Sequence, residues 1–511
     1  MTKVSASSAQ IPGASGRSPS RRWWALAAVS LAAFMTYLDN NIINVAIPTI
    51  QRSLHLSVSG LEWVVSSYLL TLAGLLLVGG RLADVYGRRR LFVAGLAVFT
   101  LSSLAAGLAG SGSVLIASRA IQGVGAALLM PATLAIIMAA FTNVRERTMA
   151  IGIWAAVSAL ALAAGPVLGG VISQHLHWGW IFLINVPIGV ITFVISALYV
   201  EESRADSATR RLDLPGLVTS AVSLFALTYA LIQGNANGWT SPLILGGFAL
   251  AAAAAAAFLA IEARTANPMV DLGMFRRREF SGGTSTMMIW AFGILGIYFF
   301  TSIYLQEILG FSPTKAGLAF VPMALTVAVF AAIAPQVENR AGAHRTVAFG
   351  MLLMVVGLVL FARLGLHASY DSLLPGFVLF GAGAGLMNVP VTNASMQAIP
   401  QAQAGVASAL LNASREVAGL LGITVIGAIL RTRQSAALRA GAGPVHAFLD
   451  GYHTGLLVTI ALMVSGIAVS YLTLRPRAGA PAPASEITVA GEIEAIGQSL
   501  GEFVTPDELV R

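Results

Sequence analysis

The chain has 511 residues, of which 57% are hydrophobic and only 10% charged, with a net charge of +8 and no cysteine. A soluble protein carries about 25% charged residues, so there is too little polar surface here to cover a water-soluble globule. Disulfides and thiolate metal sites are excluded. The positive excess suits the loops of a membrane protein better than a nucleic-acid surface.

Residues 1–22 are rich in Ser, Gly and Pro and end in Arg21-Arg22. They read as a disordered cytoplasmic tail. The apolar run that follows is about 20 residues long, too long for the 7–15-residue core of a signal peptide, and is expected to stay as the first membrane helix. Runs long enough to cross a bilayer number fourteen. They fall near 23–46, 61–80, 91–110, 113–138, 149–173, 180–200, 214–233, 242–262, 280–305, 316–337, 346–364, 374–397, 405–430 and 453–474. They are apolar throughout rather than alternating, which predicts helices and not barrel strands. The fold class is therefore an all-α, multi-pass membrane protein. The expected division is an N-terminal six-helix bundle (23–200), a two-helix insertion with flanking loops (201–279), a C-terminal six-helix bundle (280–474) and an acidic cytoplasmic tail (475–511).

Charge sets the orientation. With the N-terminus in the cytoplasm, cytoplasmic segments hold 22 of the 30 Lys and Arg, and outer loops hold six: Arg52, Lys315, Arg363, Arg431, Arg433 and Arg439. That imbalance places both termini inside. Arg119 and Arg415 fall within helices.

Asp39, in the first run, is a carboxylate at membrane depth, and such a group is costly unless it is paired or functional. It lies 16 residues past Trp23, about 24 Å along a helix. Arg119, on a helix running the other way, falls at a similar depth, so the two are expected to pair directly or through water. Arg415-Glu416 in helix 13 is the other intramembrane pair. Adjacent residues do not share a helix face, so these two are not expected simply to neutralise each other. Glu416 is then a second candidate carboxylate. Glu62, Glu262, Glu307 and Glu338 fall at helix ends and read as ordinary water-exposed groups.

The loop after helix 2 carries Gly80, Asp84, Gly87 and Arg88-Arg89-Arg90. Asp84 could sit at a helix N-terminus or pair with an arginine, forming a contact that holds one conformation and breaks in another. A degraded copy follows helix 10, with Asn339 in place of Asp84, Gly342 for Gly87 and Arg345 for Arg90. Two six-helix halves with a repeated loop are the plan of a two-bundle transporter with its substrate site between them. In helix 5, Gly165, Gly169 and Gly170 permit close packing and Pro166 a bend, an arrangement fit for a seal that opens and shuts. Helix 8, with Ala251 to Ala257, reads as a spacer.

These stretches resemble the major facilitator superfamily, and within it the fourteen-helix drug–proton antiporters. Gly80 to Arg90 is similar to the family's signature loop. Arg119-Ala120-Ile121-Gln122-Gly123-Val124-Gly125 is similar to its helix 4 motif, and Gly165-Pro166-Val167-Leu168-Gly169-Gly170 to its antiporter motif. Leu38 to Pro48 resembles the helix 1 motif of the fourteen-helix subgroup, and Trp178 to Pro187 and Tyr304 to Pro313 fit it too. Ala161 and Gly179 depart from the usual pattern. The resemblance spans about 23–474 and implies proton-coupled export by alternating access. In that reading Asp39, Arg119 and Glu416 couple protons, Gly80, Asp84, Gly87 and Arg88 to Arg90 form the cytoplasmic latch, and Gly165, Pro166, Gly169 and Gly170 form the gate.

A cavity lined by helices 1, 4, 5, 9, 12 and 13 would offer Tyr37, Trp154, Trp290, Tyr298 and Met396, with Asn41, Gln122, Asn388, Asn393, Gln397, Asn412 and Arg415. Such a lining suits amphipathic, often cationic, molecules. The expected function is export of drugs, antibiotics or dyes in exchange for protons. The alternatives are a dedicated exporter of a secondary metabolite, siderophore or lipid, and a transport-inactive receptor or scaffold. No ATP-binding loop is encoded, and no nucleophile–base set marks an enzyme. The histidines lack metal-ligand spacing, His175 and His177 aside. The expected partners are substrate, protons and the lipid of a plasma (inner) membrane, with no cofactor, no metal and no nucleic acid, in a working monomer.

Overall fold

A computed structural model describes residues 19–204, 213–265, 268–366, 368–400 and 403–475. Most of both expected tails lies outside the described residues. Among the described residues the fourteen apolar runs form fourteen long helices: α1 (Arg21–Leu54), α2 (Val58–Tyr86), α3 (Arg88–Gly107), α4 (Gly112–Ala140), α5 (Arg145–His175), α6 (Trp180–Tyr199), α7 (Leu214–Asn237), α8 (Pro242–Glu262), α9 (Arg278–Ile308), α10 (Pro313–Ala341), α11 (Ala343–Phe361), α12 (Tyr370–Gln397), α13 (Val406–Arg439) and α14 (Pro444–Thr473). With no water in the hydrocarbon, each segment must satisfy its own backbone, and a helix does so.

Short polar caps start these helices. Ser57, Ser111, Asn143, Asp213, Ser241 and Ser312 each accept a hydrogen bond from a backbone N–H in the first turn that follows, which satisfies donors that the helix cannot. The helix preceding Leu54 already begins at Pro19, so Arg21 and Arg22 are helical and not the end of a tail. Arg22 makes a two-pronged ion pair with Glu146 of α5 at 2.6 and 2.8 Å. α13 runs on to Arg439, nine residues past the apolar run (439 against 430).

The helices pack as two sets. In the first, α1 lies on α5 and α6, and α4 on α2 and α3. In the second, α12 lies on α10 and α11, and α13 on α9 and α14. The sets meet along α2 against α13 and α5 against α10, and α1 also touches α9, where Gln306 donates to the Val45 carbonyl at 2.8 Å. The inserted pair α7 and α8 pack on each other, and α7 also touches both α2 and α13. Only 17% of the apolar window of α8 is buried, against 67% for α2. α8 is therefore peripheral, while α7 stands at a seam between the halves.

Candidate functional site

At the centre of the first half is a closed polar network. Asp39 and Arg119 are both fully buried. Arg119 Nη1 donates to Asp39 Oδ2 at 2.5 Å and to Gln122 Oε1 at 2.7 Å, while Arg119 Nε donates to the Val64 carbonyl at 3.2 Å. Asp39 Oδ1 accepts from Gln122 Nε2 and from Asn185 Nδ2, each at 2.8 Å. Ser103 accepts from Gln122 at 2.7 Å. The guanidinium stacks over Tyr68 at 4.3 Å and lies 5.6 Å from the Phe182 ring centre. Helices α1, α3, α4 and α6 thus converge on one carboxylate. Two amide donors and an arginine offset much of the cost of burying the charge. Gln122 belongs to this network and not to a cavity wall. Asn185, Ser103 and Tyr68 did not emerge as site residues from the sequence. Asn185 was nevertheless visible as a polar residue in the Trp178 to Pro187 motif.

Beside the network is a cavity of about 710 Å³. It runs from Tyr37, Tyr68, Asn412, Arg415 and Glu416 to Arg81, Asp84 and Arg88, which mark the basic face of the molecule. Its walls come from α1, α2, α4, α5, α7 and α13, with Arg88 at the start of α3 and with Pro268 and Met269. Tyr68 stands between cavity and network, with its ring against Arg119. Tyr37, Trp154, Asn412 and Arg415 line the cavity as expected. Trp290, Tyr298, Asn388, Asn393, Met396 and Gln397 do not, because α9 and α12 contribute nothing to this wall. Tyr298 packs on Phe320 with ring centres 4.3 Å apart, and Asn393 donates to Glu338 at 3.2 Å. Asn41 turns to α5 instead: its Cβ is 2.6 Å from where a Cβ on Gly165 would stand.

Arg415 and Glu416 do pair, against expectation. Arg415 Nη2 and Nε donate to Glu416 Oε1 at 2.8 and 3.2 Å. The face argument fails because the arginine side chain is long enough to curl back to its neighbour. The cavity wall therefore carries a compensated pair and not a free carboxylate.

In the latch loop Asp84 takes the second of its two expected places, a pair with an arginine. Asp84 accepts from Arg88 Nη2 at 3.1 Å, one turn on in sequence, and Arg88 Nη1 donates to the Ala135 carbonyl of α4 at 3.4 Å. The carboxylate at the N-terminus of α3 is Glu202, which accepts from the backbone N–H of Arg89 and Arg90 at 3.1 and 3.3 Å. Gly87, at φ 117°, makes the turn, and a Cβ there would fall 2.4 Å from Glu202 Oε1. Arg89 donates to the Ala197 carbonyl of α6 at 2.8 Å.

The helix 5 glycines face two ways. A Cβ on Gly169 would lie 2.3 Å from the Ile42 carbonyl of α1, and one on Gly170 2.4 Å from the Pro313 carbonyl of α10. From α10, Gly317 approaches the Pro166 carbonyl equally closely, at 2.2 Å for an added Cβ. α5 is therefore pressed against both its own half and the other. Gly179 is required for packing: an added Cβ would meet the Gly107 carbonyl at 2.1 Å.

The acidic residues expected to be water-exposed are mostly not. Glu307 is exposed, but Glu62 is fully buried, Glu262 is 3% exposed and Glu338 is half-buried. Arg431, assigned to an outer loop, is helical and 6% exposed, and it pairs with Glu62 across the α2–α13 seam. Helices that outrun their apolar stretch carry both residues inward.

Residues 29–423 match the Major Facilitator Superfamily. The chain belongs to that superfamily. Among its relatives, a multidrug resistance protein of Mycobacterium tuberculosis (strain CDC 1551 / Oshkosh), Stp, is 38% identical over 81% of this chain and 76% of that protein. The puromycin resistance protein of Streptomyces alboniger is 34% identical over 87% and 89%. The tetracenomycin C resistance and export protein of Streptomyces glaucescens is 32% identical over 96% and 93%. Among solved structures, a bacterial homologue of the lysosomal transporter Spinster, in an inward-facing conformation, aligns with a TM-score of 0.65 at 17% identity, covering 91% of this chain and all of that one. The POT family transporter PepTSo aligns with a TM-score of 0.65 at 14% identity, over 89% and 99%. The chain is thus a multi-pass membrane protein with the major facilitator fold. The relatives are named for resistance and export, and these neighbours are membrane transporters.

Proposed function

We propose that this superfamily member is a proton-driven exporter of small hydrophobic or cationic organic compounds, working by alternating access in a plasma (inner) membrane. The basic face is cytoplasmic in this reading, as the arginine imbalance requires, and the chain acts as a monomer. The observation that carries it is the buried Asp39–Arg119–Gln122–Asn185 network separated from the cavity by Tyr68. A carboxylate held by an arginine and two amides is a place to bind and release one proton, and the released arginine then biases the packing around it. The cavity's aromatic rings suit a lipophilic cation. Relatives named for multidrug, puromycin and tetracenomycin C resistance support the substrate class. Dedicated export of one product is the second reading, favoured by relatives named as exporters of tetracenomycin C and cephamycin. Efflux of a panel of dyes and antibiotics from cells expressing the protein tests both. Uncoupler-sensitive efflux of several unrelated compounds is expected. Uncoupler-insensitive efflux contradicts proton drive, and efflux of a single compound supports the dedicated exporter.

A further inference from the structure

The sequence marks α7 and α8 only as an added pair, with α8 a spacer, yet α7 is bonded into the α2–α13 seam at the face opposite Arg88. Arg431 reaches from α13 to Glu62 of α2 and, through Nη2, donates to the Leu231 carbonyl of α7 at 3.2 Å. Asn235 Nδ2 of α7 donates to Ser435 Oγ at 3.0 Å, and Trp239 Nε1, just past α7, donates to Thr432 Oγ1 at 3.2 Å. Both acceptors are on α13. The Glu62 side chain packs directly on the backbone of α13 at Gly427, where an added Cβ would lie 2.2 Å from Glu62 Oε1. One arginine therefore ties three helices from the two halves and the insertion. At the other end of the same seam the cavity holds the helices apart, with Leu217 of α7 in its wall.

We propose that Glu62–Arg431, buttressed by α7, is the external pin of the transport cycle: it holds the cavity closed on the side opposite Arg88 and must part for that side to open. The idea rests on the alternating-access reading above. The Asp39–Arg119 pair lies within one half and survives a rocking of the halves. Glu62–Arg431 crosses between halves and does not. The pin is also built to release. Glu62 Oε2 and Arg431 Nε are buried with no hydrogen-bond partner among the described residues, so both atoms gain bonds once water enters the opened seam. The insertion then has a use: it supplies a third anchor that makes the closed seam stiffer than a pair of helices alone.

The native chain has no cysteine, so a single reporter thiol reads the gate. Ser66 is one turn inward from Glu62 and fully buried, with an unpartnered hydroxyl, and Ser66→Cys is close to isosteric. A membrane-impermeant maleimide applied from outside labels this cysteine slowly. Adding Glu62→Gln or Arg431→Gln is expected to raise the labelling rate about tenfold by shifting the population outward-open, and the exchanged pair Glu62→Arg with Arg431→Glu to return it toward background. Trp239→Phe leaves both charges in place and is expected to raise the rate about threefold through loss of the α7 anchor. Unchanged labelling in Glu62→Gln and Arg431→Gln overturns the pin. If either charge variant does not insert, Trp239→Phe decides, and an unchanged rate there overturns the role of α7. Labelling requires neither substrate nor proton gradient. Failure of the pin therefore leaves gradient-driven export intact, whereas failure of the exporter reading leaves the labelling shifts in place without export.

Discussion

Two buried ion pairs of similar chemistry sit in very different places. Asp39–Arg119 is enclosed by α1, α3, α4 and α6 of one half, with Gln122 and Asn185 completing the carboxylate's shell. Glu62–Arg431 bridges α2 and α13 and leaves an oxygen and a nitrogen without partners. The first has its carboxylate fully bonded, although Arg119 Nη2 and Asn185 Oδ1 have no partner among the described residues, and it lies within one half. The second lies between the halves, at the seam proposed to part. Position relative to the seam, and not the charges themselves, assigns the first pair to the proposed proton site and the second to the proposed gate.

Substitutions can break or sharpen this contrast. The largest effect is expected from Arg119→Ala, which leaves Asp39 buried without its counter-charge. Loss of one partner of such a pair costs about 3–5 kcal/mol, seen as a lowered melting temperature of the purified protein and loss of export. Adding Asp39→Asn to Arg119→Ala should recover much of the stability and none of the export. If stability does not recover, the pair is not what strains the single variant. A smaller loss is expected from Asn185→Ala, which removes one of the hydrogen bonds to the carboxylate. A hydrogen bond to a charged group contributes about 1.5–3 kcal/mol, so export should weaken and its pH profile shift while the protein stays folded. An unmoved pH profile would mean that Asn185 only packs. The smallest effect is expected from Glu202→Gln, which keeps the shape of the cap at the N-terminus of α3 but removes its charge. About 0.3–1 kcal/mol is at stake, read as a slight fall in melting temperature with near-normal export. A severe export defect would show that Glu202, and not Asp84, carries the latch.

Much of this was legible in the chain because the bilayer imposes simple rules. Fourteen spans followed from run length alone, and Asp39 with Arg119 from matched depth on opposed helices. Rules about apolar runs say little of where helices end, however. α13 continues to Arg439 on small and polar residues, so Arg431 was assigned to a loop and Glu62 to water. Asn185 was hidden for the opposite reason: one amide near the start of an apolar run looks like a helix edge until the fold aims it at Asp39. Arg415 and Glu416 were misjudged by treating side chains as fixed to their helix face, when arginine's length lets it fold back. The cavity was half legible. Tyr37, Trp154, Asn412 and Arg415 line it, while Trp290, Tyr298, Asn388 and Asn393 lie on helices that this cavity does not reach. Which faces meet depends on how the halves are tilted, which no single helix encodes.

The most direct test of the account is the uptake of a fluorescent lipophilic cation into proteoliposomes under an imposed pH gradient, with native protein and with Asp39→Asn. The native protein should accumulate the dye. The variant should lose at least about 100-fold of gradient-driven accumulation, as expected when a proton-transferring group is removed, while still exchanging dye down its own gradient. Full gradient-driven accumulation by Asp39→Asn would contradict the account, because the proton would then be carried elsewhere.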